Sequence, residues 1–308
     1  MRAIPISLMD SLMARIDRLG EARTIAQIGA VIGQEFSHPL LERVVLAEEP
    51  DLDEALSHLV SSGLLLRQDM SDEVRYVFKH ALVRDAAYDS LLRRRREGLH
   101  ARIAACLEDH FPETVANEPE LLAEHYSEAG LAERAIRYWQ RAGERASERS
   151  EILEAQNHFK NGLKLLDDLQ SSTIKQELEL SLLIGLGPVE IAIGGPGSKA
   201  VADVYGRAVD LCGKLPNSPL HFAAHWGQWR TSRTYLIKRE RADKLSTVTA
   251  NLGDPGLSLQ AHHCQWAVLF NLGLHDACCR HVDRGVELYD AGDFRSHAMI
   301  YGGHDPAV

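Results

Sequence analysis

Gly194-Gly195-Pro196-Gly197-Ser198-Lys199-Ala200 has the makings of a phosphate cradle: glycines, a lysine and helical sequence behind them. A phosphate loop needs glycine ahead of the lysine and a hydroxyl after it to hold Mg²⁺. Ser198 and Ala200 stand in those places, so the segment reads as a turn between helices. His262, His263 and Cys264, with Cys278, Cys279 and His281, offer the imidazole and thiolate ligands that suit Zn²⁺. Sequence neighbours diverge around a helix, however, and within this set no CxxC or HxxxH spacing occurs. Small cysteines at a close helix contact account for the pattern, and no metal is expected. Arg93-Arg94-Arg95-Arg96 is a basic run of the kind that meets nucleic-acid phosphates. There is no GxSxG, and no Cys–His or paired-carboxylate arrangement stands out. The chain is therefore not expected to be an enzyme by itself.

Charge balance argues against nucleic acid as a partner. Residues 1–115 carry 14 Lys or Arg against 19 Asp or Glu, and the whole chain has a net charge of −10. Affinity for nucleic acid comes mainly from neutralising phosphates, which an acidic surface opposes. Residues 52–62, where a recognition helix would lie, include Asp53 and Glu54 and no Lys or Arg. The four arginines read instead as a solvated helix face. Negative charge equally disfavours anionic membrane, and no run reaches the roughly 18 apolar residues that span a bilayer. Met1-Arg2-Ala3-Ile4-Pro5 lacks the build of a signal peptide, and five irregularly placed cysteines do not make a disulfide framework. A cytoplasmic location follows as the expectation.

A chain of 308 residues exceeds the usual single core, so two are expected. Aromatics make up only 6%, which leaves alanine and leucine to fill helical cores. Leu8, Leu12, Ile16 and Leu19 recur at helical spacing between Pro5 and Gly20; Ile25, Ile28, Val31 and Ile32 do so before Gly33. Helices over 38–47 and 52–62 complete the series. The period then changes. Leu64-Leu65-Leu66-Arg67 and Val74-Arg75-Tyr76-Val77-Phe78, separated by a turn at 69–72, read as a β-hairpin. Three helices and a hairpin are the parts of a winged helix, and helices over 80–92 and 99–110 follow.

From about residue 118 the pattern is helix after helix. Trp139, Ala142 and Gly143, with Ala146, then Ala155, Phe159 and Gly162, match the spacing of a tetratricopeptide unit, with Ala142 in place of leucine. Small residues at such offsets let two antiparallel helices approach while large ones fill the gap. The earlier helix over 120–129 is expected to pack against the one over 131–149. Further pairs are expected at 174–186 with 199–215, 220–237 with 239–252, and 257–272 with 276–289. Phe294–Val308 supplies no capping helix and the start is equally abrupt, so both ends read as cuts.

Gln27–Phe36, Phe78–Tyr88, Glu124–Gly143 and Tyr301–Val308, with Ile4 through Leu19, resemble the bacterial signal-transduction ATPases with numerous domains. Many of these join an adenylate/guanylate cyclase domain and an AAA-type ATPase to a winged helix and tetratricopeptide repeats. The resemblance implies a mainly α chain in three parts. Residues 1–20 would end an ATPase helical lid, 21–112 form a winged-helix-like domain with a short hairpin, and 113–308 form a truncated tetratricopeptide-like α-solenoid. It also implies that ATP or ADP binds in an ATPase module upstream of Met1, with no cofactor on this chain. His80 would correspond to the histidine of a Met-His-Asp motif that faces the ADP diphosphate, although Lys79 and Ala81 replace the Met and Asp. The implied function is regulatory, with a protein partner or second protomer bound in the repeat groove. A free-standing repeat scaffold and a DNA-binding winged-helix regulator are the alternatives.

Overall fold

The computed structural model describes residues 16, 18–45, 51–70, 73–216 and 218–290. Most of the helix expected over the first twenty residues, and all of Phe294–Val308, lie outside the described residues. The described residues are mainly helical with one small antiparallel sheet, and the chain divides into two compact units, Met1–Tyr138 and Trp139–Val308.

In the first unit, α1 (Ala22–Ile32) buries Ile25, Ile28 and Val31 on one side, as their spacing requires. The three-residue strand β1 (Glu35–Ser37) leads into α2 (His38–Val44), which starts where Ser37 Oγ accepts from the Leu40 N–H at 3.3 Å. Asp51 caps α3 (Leu52–Ser61) through the Glu54 N–H at 3.0 Å. Strands β2 (Leu65–Asp69) and β3 (Val74–Phe78) form the expected hairpin. Sequence patterning gives no sign of β1, yet it pairs with the other edge of β3, with Phe36 opposite Tyr76, so the sheet has three strands in the order β1-β3-β2. Three residues are too few to show a period. Pairing holds them: the Phe78 N–H donates to Gln34 O at 2.9 Å, and Phe36 packs on Tyr76 and Phe78 with ring centroids 6.0 and 5.9 Å apart. A Cβ at Gly29 of α1 would come within 2.7 Å of the Phe36 ring, so glycine lets helix and strand close together.

After the sheet come α4 (Ala81–Asp89), α5 (Arg93–His110), α6 (Pro112–Asn117) and α7 (Pro119–Glu128). The arginine run is the first turn of α5, which therefore begins six residues before the expected start at Leu99. The short α6 has no counterpart in the sequence reading; prolines at 112 and 119 start it and its successor. α8 (Ala132–Glu148) straddles the division between the units.

The second unit continues with α9 (Ile152–Leu165), α10 (Thr173–Gly194), α11 (Lys199–Cys212), α12 (Pro219–Arg230), α13 (Tyr235–Leu252), α14 (Pro255–Asn271) and α15 (His275–Asp290). From α9 onward each helix packs on the next, and α10 also meets α12. Short turns make successive neighbours antiparallel, so these helices stack in pairs.

Two boundaries differ from the sequence expectation. α10 runs on from Leu186 through Pro188, whose ring sits on the exposed face, because Val189 and Glu190 beyond it are buried. Glu190 is held there by the Lys160 ammonium at 3.3 Å and the Gln156 amide at 2.8 Å. The break expected near residue 238 falls instead between Arg230 and Tyr235. Thr231 and Ser232 hydroxyls donate back to Gly227 O and Gln228 O at 3.0 and 2.9 Å, satisfying the end of α12. Thr234 Oγ1 then accepts the Ile237 N–H at 3.3 Å and starts α13.

Candidate functional site

The repeat-signature residues come together in the second unit. Trp139, Ala142, Gly143 and Ala146 lie on α8, and Ala155, Phe159 and Gly162 on α9; of these Ala142, Ala146, Ala155 and Phe159 are almost wholly buried. A Cβ on Gly143 would come within 2.8 Å of the Phe159 ring, and one on Gly185 of α10 within 2.5 Å of the same ring. Phe159 is thus clasped between glycines on two neighbouring helices. A Cβ on Gly162 would meet Leu182 at 2.9 Å and Trp139 Cβ at 3.3 Å. Trp139 stacks on His158 with centroids 5.4 Å apart.

The device recurs without a second Trp-Ala-Gly signature. Tyr205 of α11, 2% exposed, is clasped between Gly187 of α10 and Gly227 of α12. Burial pushes its hydroxyl up to about 12, so the ring stays neutral. Gly143, Gly185 and Gly227 are evenly spaced along the chain, a regularity the sequence contains but residue types alone do not single out. In the last pair the arrangement inverts: the large ring, Trp266, is on α14 and the glycine, Gly285, on α15. What results is a packed wall in which large rings seat against glycines of neighbouring helices.

His80 is the N-cap residue of α4, with backbone φ −138° and ψ 133°. Its carbonyl accepts the Val83 N–H at 3.0 Å, while the exposed imidazole makes no capping hydrogen bond. Of the arginine run, Arg93 pairs with Glu97 at 2.8 Å, and Arg96 lies over the Tyr88 ring at 4.9 Å and near Asp89 at 3.6 Å. Glu21, Asp51 and Glu54 line a cleft of about 260 Å³ beside α3. That acidic helix is a poor face for nucleic-acid phosphates.

The glycine-rich segment spends its polar groups on helix ends. Gly195, in the left-handed region at φ +76°, donates its N–H to Ile191 O at 2.9 Å. Ser198 Oγ accepts from the Val201 N–H at 3.4 Å, and Lys199 pairs with Asp203 one turn on. The histidines and cysteines further along separate in the same way. His262 and His281 share a hydrogen bond between Nδ1 atoms at 2.9 Å, and His263 lies flat on Trp266 at 5.1 Å. Cys264 is buried, whereas the Cys278 thiol donates to Trp266 O at 3.5 Å and Cys279 is exposed. Among the described residues no group of three or more His, Cys, Asp and Glu converges as a metal site.

Sequence reasoning passed over two histidine pairs. His100 and His125, both buried in the first unit, share an Nδ1–Nδ1 hydrogen bond at 2.8 Å, which requires a neutral ring on at least one side. His100 Nε2 meets the Tyr88 hydroxyl at 3.0 Å. Burial, with His100 beside it, pushes His125 down to about 3. The second pair, His221 and His225, has one-turn spacing on α12. Burial and then the Lys244 ammonium push His225 down to about 4, an environment hostile to a bound cation. The spacing of 100 and 125 carries no signal, whereas His221-x-x-x-His225 is visible in the sequence.

No protein-family profile matches the sequence. An uncharacterized protein of Rhizobium meliloti (strain 1021) is 30% identical over 308 residues, covering 98% of this chain and 30% of the relative. The chain thus spans less than a third of that relative's length. Among solved structures, similarity is found to a Signal Transduction ATPase with Numerous Domains protein with a tetratricopeptide repeat sensor from Pyrococcus horikoshii. It is 13% identical at a TM-score of 0.37, covering 91% of this chain and 46% of that one. BtubC from P. vanneervenii is 17% identical at a TM-score of 0.24, covering 96% and 94%. With both scores below 0.5, the fold rests on this chain's own geometry.

Proposed function

We propose that this chain is a regulatory, protein-binding segment of a larger signal-transduction ATPase, coupling nucleotide state to partner binding. The observation that carries this reading is the clasp of Phe159 and Tyr205 between glycines of flanking helices, which stacks helix pairs in the manner of a tetratricopeptide-like solenoid. Such a wall offers a groove to a protein partner or a second protomer. Alignment of nearly the whole chain with a small part of a longer relative supports its role as one segment among several.

Residues 21–112 serve in this reading as a winged-helix-like domain: α1 to α3 with a three-stranded sheet, followed by α4. Its exposed His80 imidazole faces the ADP diphosphate of an ATPase module encoded elsewhere in the protein, and holds the resting state. Nucleotide chemistry belongs to that module, and this chain supplies no catalytic group. The acidic surface of α3 favours this over the DNA-binding alternative.

The test is His80→Ala in the full-length protein carrying the ATPase module, read as the rate of ADP release. About tenfold faster release, with an unchanged unfolding midpoint, is the expected result. An unchanged release rate contradicts the coupling and leaves a repeat scaffold.

A further inference from the structure

Where α12, α13 and α14 meet, Trp226, Trp229, Arg230, Lys238, Gln260, His263, Cys264 and Ala267 surround a cavity of about 190 Å³. Its walls combine two indoles with two cations, and each cation already covers an indole face. The Arg230 guanidinium lies 5.3 Å from the Trp226 centroid and the Lys238 ammonium 5.0 Å from that of Trp229.

Cation–π contact does not neutralise charge. Among the described residues neither Arg230 nor Lys238 forms an ion pair with a carboxylate. Cys264 does not serve either, because burial pushes its thiol well up and keeps it protonated. Lys238 is lowered by its own burial, and Arg230 adds to that, so the two cations feel each other across the site. The Trp229 Nε1–H is buried and has no acceptor among the described residues. Half-buried like charges and an unused donor make an unfavourable arrangement when the cavity holds only solvent.

One kind of occupant relieves the two like charges. A cationic ligand is excluded, since two cations already stand at the site and the local field is positive. An anion between Arg230 and Lys238 gains charge-assisted hydrogen bonds. Size restricts it further: a cavity of about 190 Å³ suits a small, single-ring acid. The indoles, Ala267 and the neutral Cys264 supply an apolar surround for a flat body.

We infer that this cavity is a binding site for a small aromatic monocarboxylate, its carboxylate held between Arg230 and Lys238 and its ring against Trp226 and Trp229. A metabolite of this class gives the second unit a small-molecule input distinct from the protein-binding groove. The inference does not rest on that groove or on any ATPase module.

Calorimetric titration of the whole chain with phenylacetate, and with its neutral isostere phenylacetamide, tests it. Saturable one-to-one binding of phenylacetate, with phenylacetamide at least about tenfold weaker, is expected. Lys238→Gln and Arg230→Gln should each weaken phenylacetate about tenfold while leaving the phenylacetamide affinity unchanged. Should Lys238→Gln fail to fold by circular dichroism, Arg230→Gln carries the comparison. Equal affinity for acid and amide, undiminished phenylacetate binding by a folded variant, or no saturation up to about 10 mM overturns the inference.

Discussion

Residues 1–138 and 139–290 solve the problem of fitting large side chains between helices in different ways. In the first unit, aromatic rings reach hydrogen-bond partners from within the packing. Tyr126, fully buried as a residue, gives its hydroxyl to Glu108, and Tyr138 donates to the same carboxylate at 2.6 Å; the Tyr88 hydroxyl shares a hydrogen bond with His100 Nε2. In the second unit, the corresponding bulk is received by an absence, the missing Cβ of Gly143, Gly185, Gly187 and Gly227. A polar network specifies one arrangement by satisfying particular atoms. A glycine register specifies it by shape alone and repeats at little cost in sequence, which suits a wall built from similar pairs.

The largest break in this contrast comes from Gly227→Ala. The new Cβ overlaps the Tyr205 ring, which Gly187 prevents from retreating, so a loss of about 3 kcal/mol is expected in urea unfolding. A loss below about 1 kcal/mol would mean the clasp is loose.

The first unit breaks through pH. His125 is held near 3 in the fold and titrates near 6.5 when unfolded. Between those values the unfolded chain binds the extra proton, so stability is complete above about pH 6.5 and falls on acidification, by about 2 kcal/mol at pH 5. His125→Phe, compared with the unchanged chain from pH 7 to 5, should lose much of that slope. Parallel curves would remove His125 as the cause.

The smallest effect sharpens the comparison from the other side. Gly206, within α11, has open space where a Cβ would go. Gly206→Ala should therefore stabilise by up to about 1 kcal/mol through helix propensity. Opposite signs for alanine at 206 and 227 would separate a glycine needed for packing from one that is not.

How far the sequence revealed this follows the same physical lines. Trp139-x-x-Ala142-Gly143 with Ala155-x-x-x-Phe159 was legible because one repeat keeps the spacing of the pattern, with only Ala142 in place of leucine, in local sequence. The Tyr205 clasp was not, since Gly187, Tyr205 and Gly227 come from three helices and only packing unites them. The strand Glu35–Ser37 exists through its pairing with β3, which no local period announces. Thr231–Thr234 did carry a capping signal, but the apolar Tyr235-Leu236-Ile237 extended the helical pattern across it; those side chains are in fact exposed. The cavity beside Lys238 was invisible, as its lining comes from three helices with no shared motif.

Nesting of helices through glycine and ring is tested most directly by a double-mutant cycle between Gly185 and Phe159, followed by urea unfolding. Gly185→Ala should cost about 2 kcal/mol in the unchanged chain and nothing in a Phe159→Leu background, where the ring is gone, giving a coupling above about 1 kcal/mol. Additive effects within about 0.5 kcal/mol would show that the two residues do not meet, and the stacked-pair architecture would fail with them.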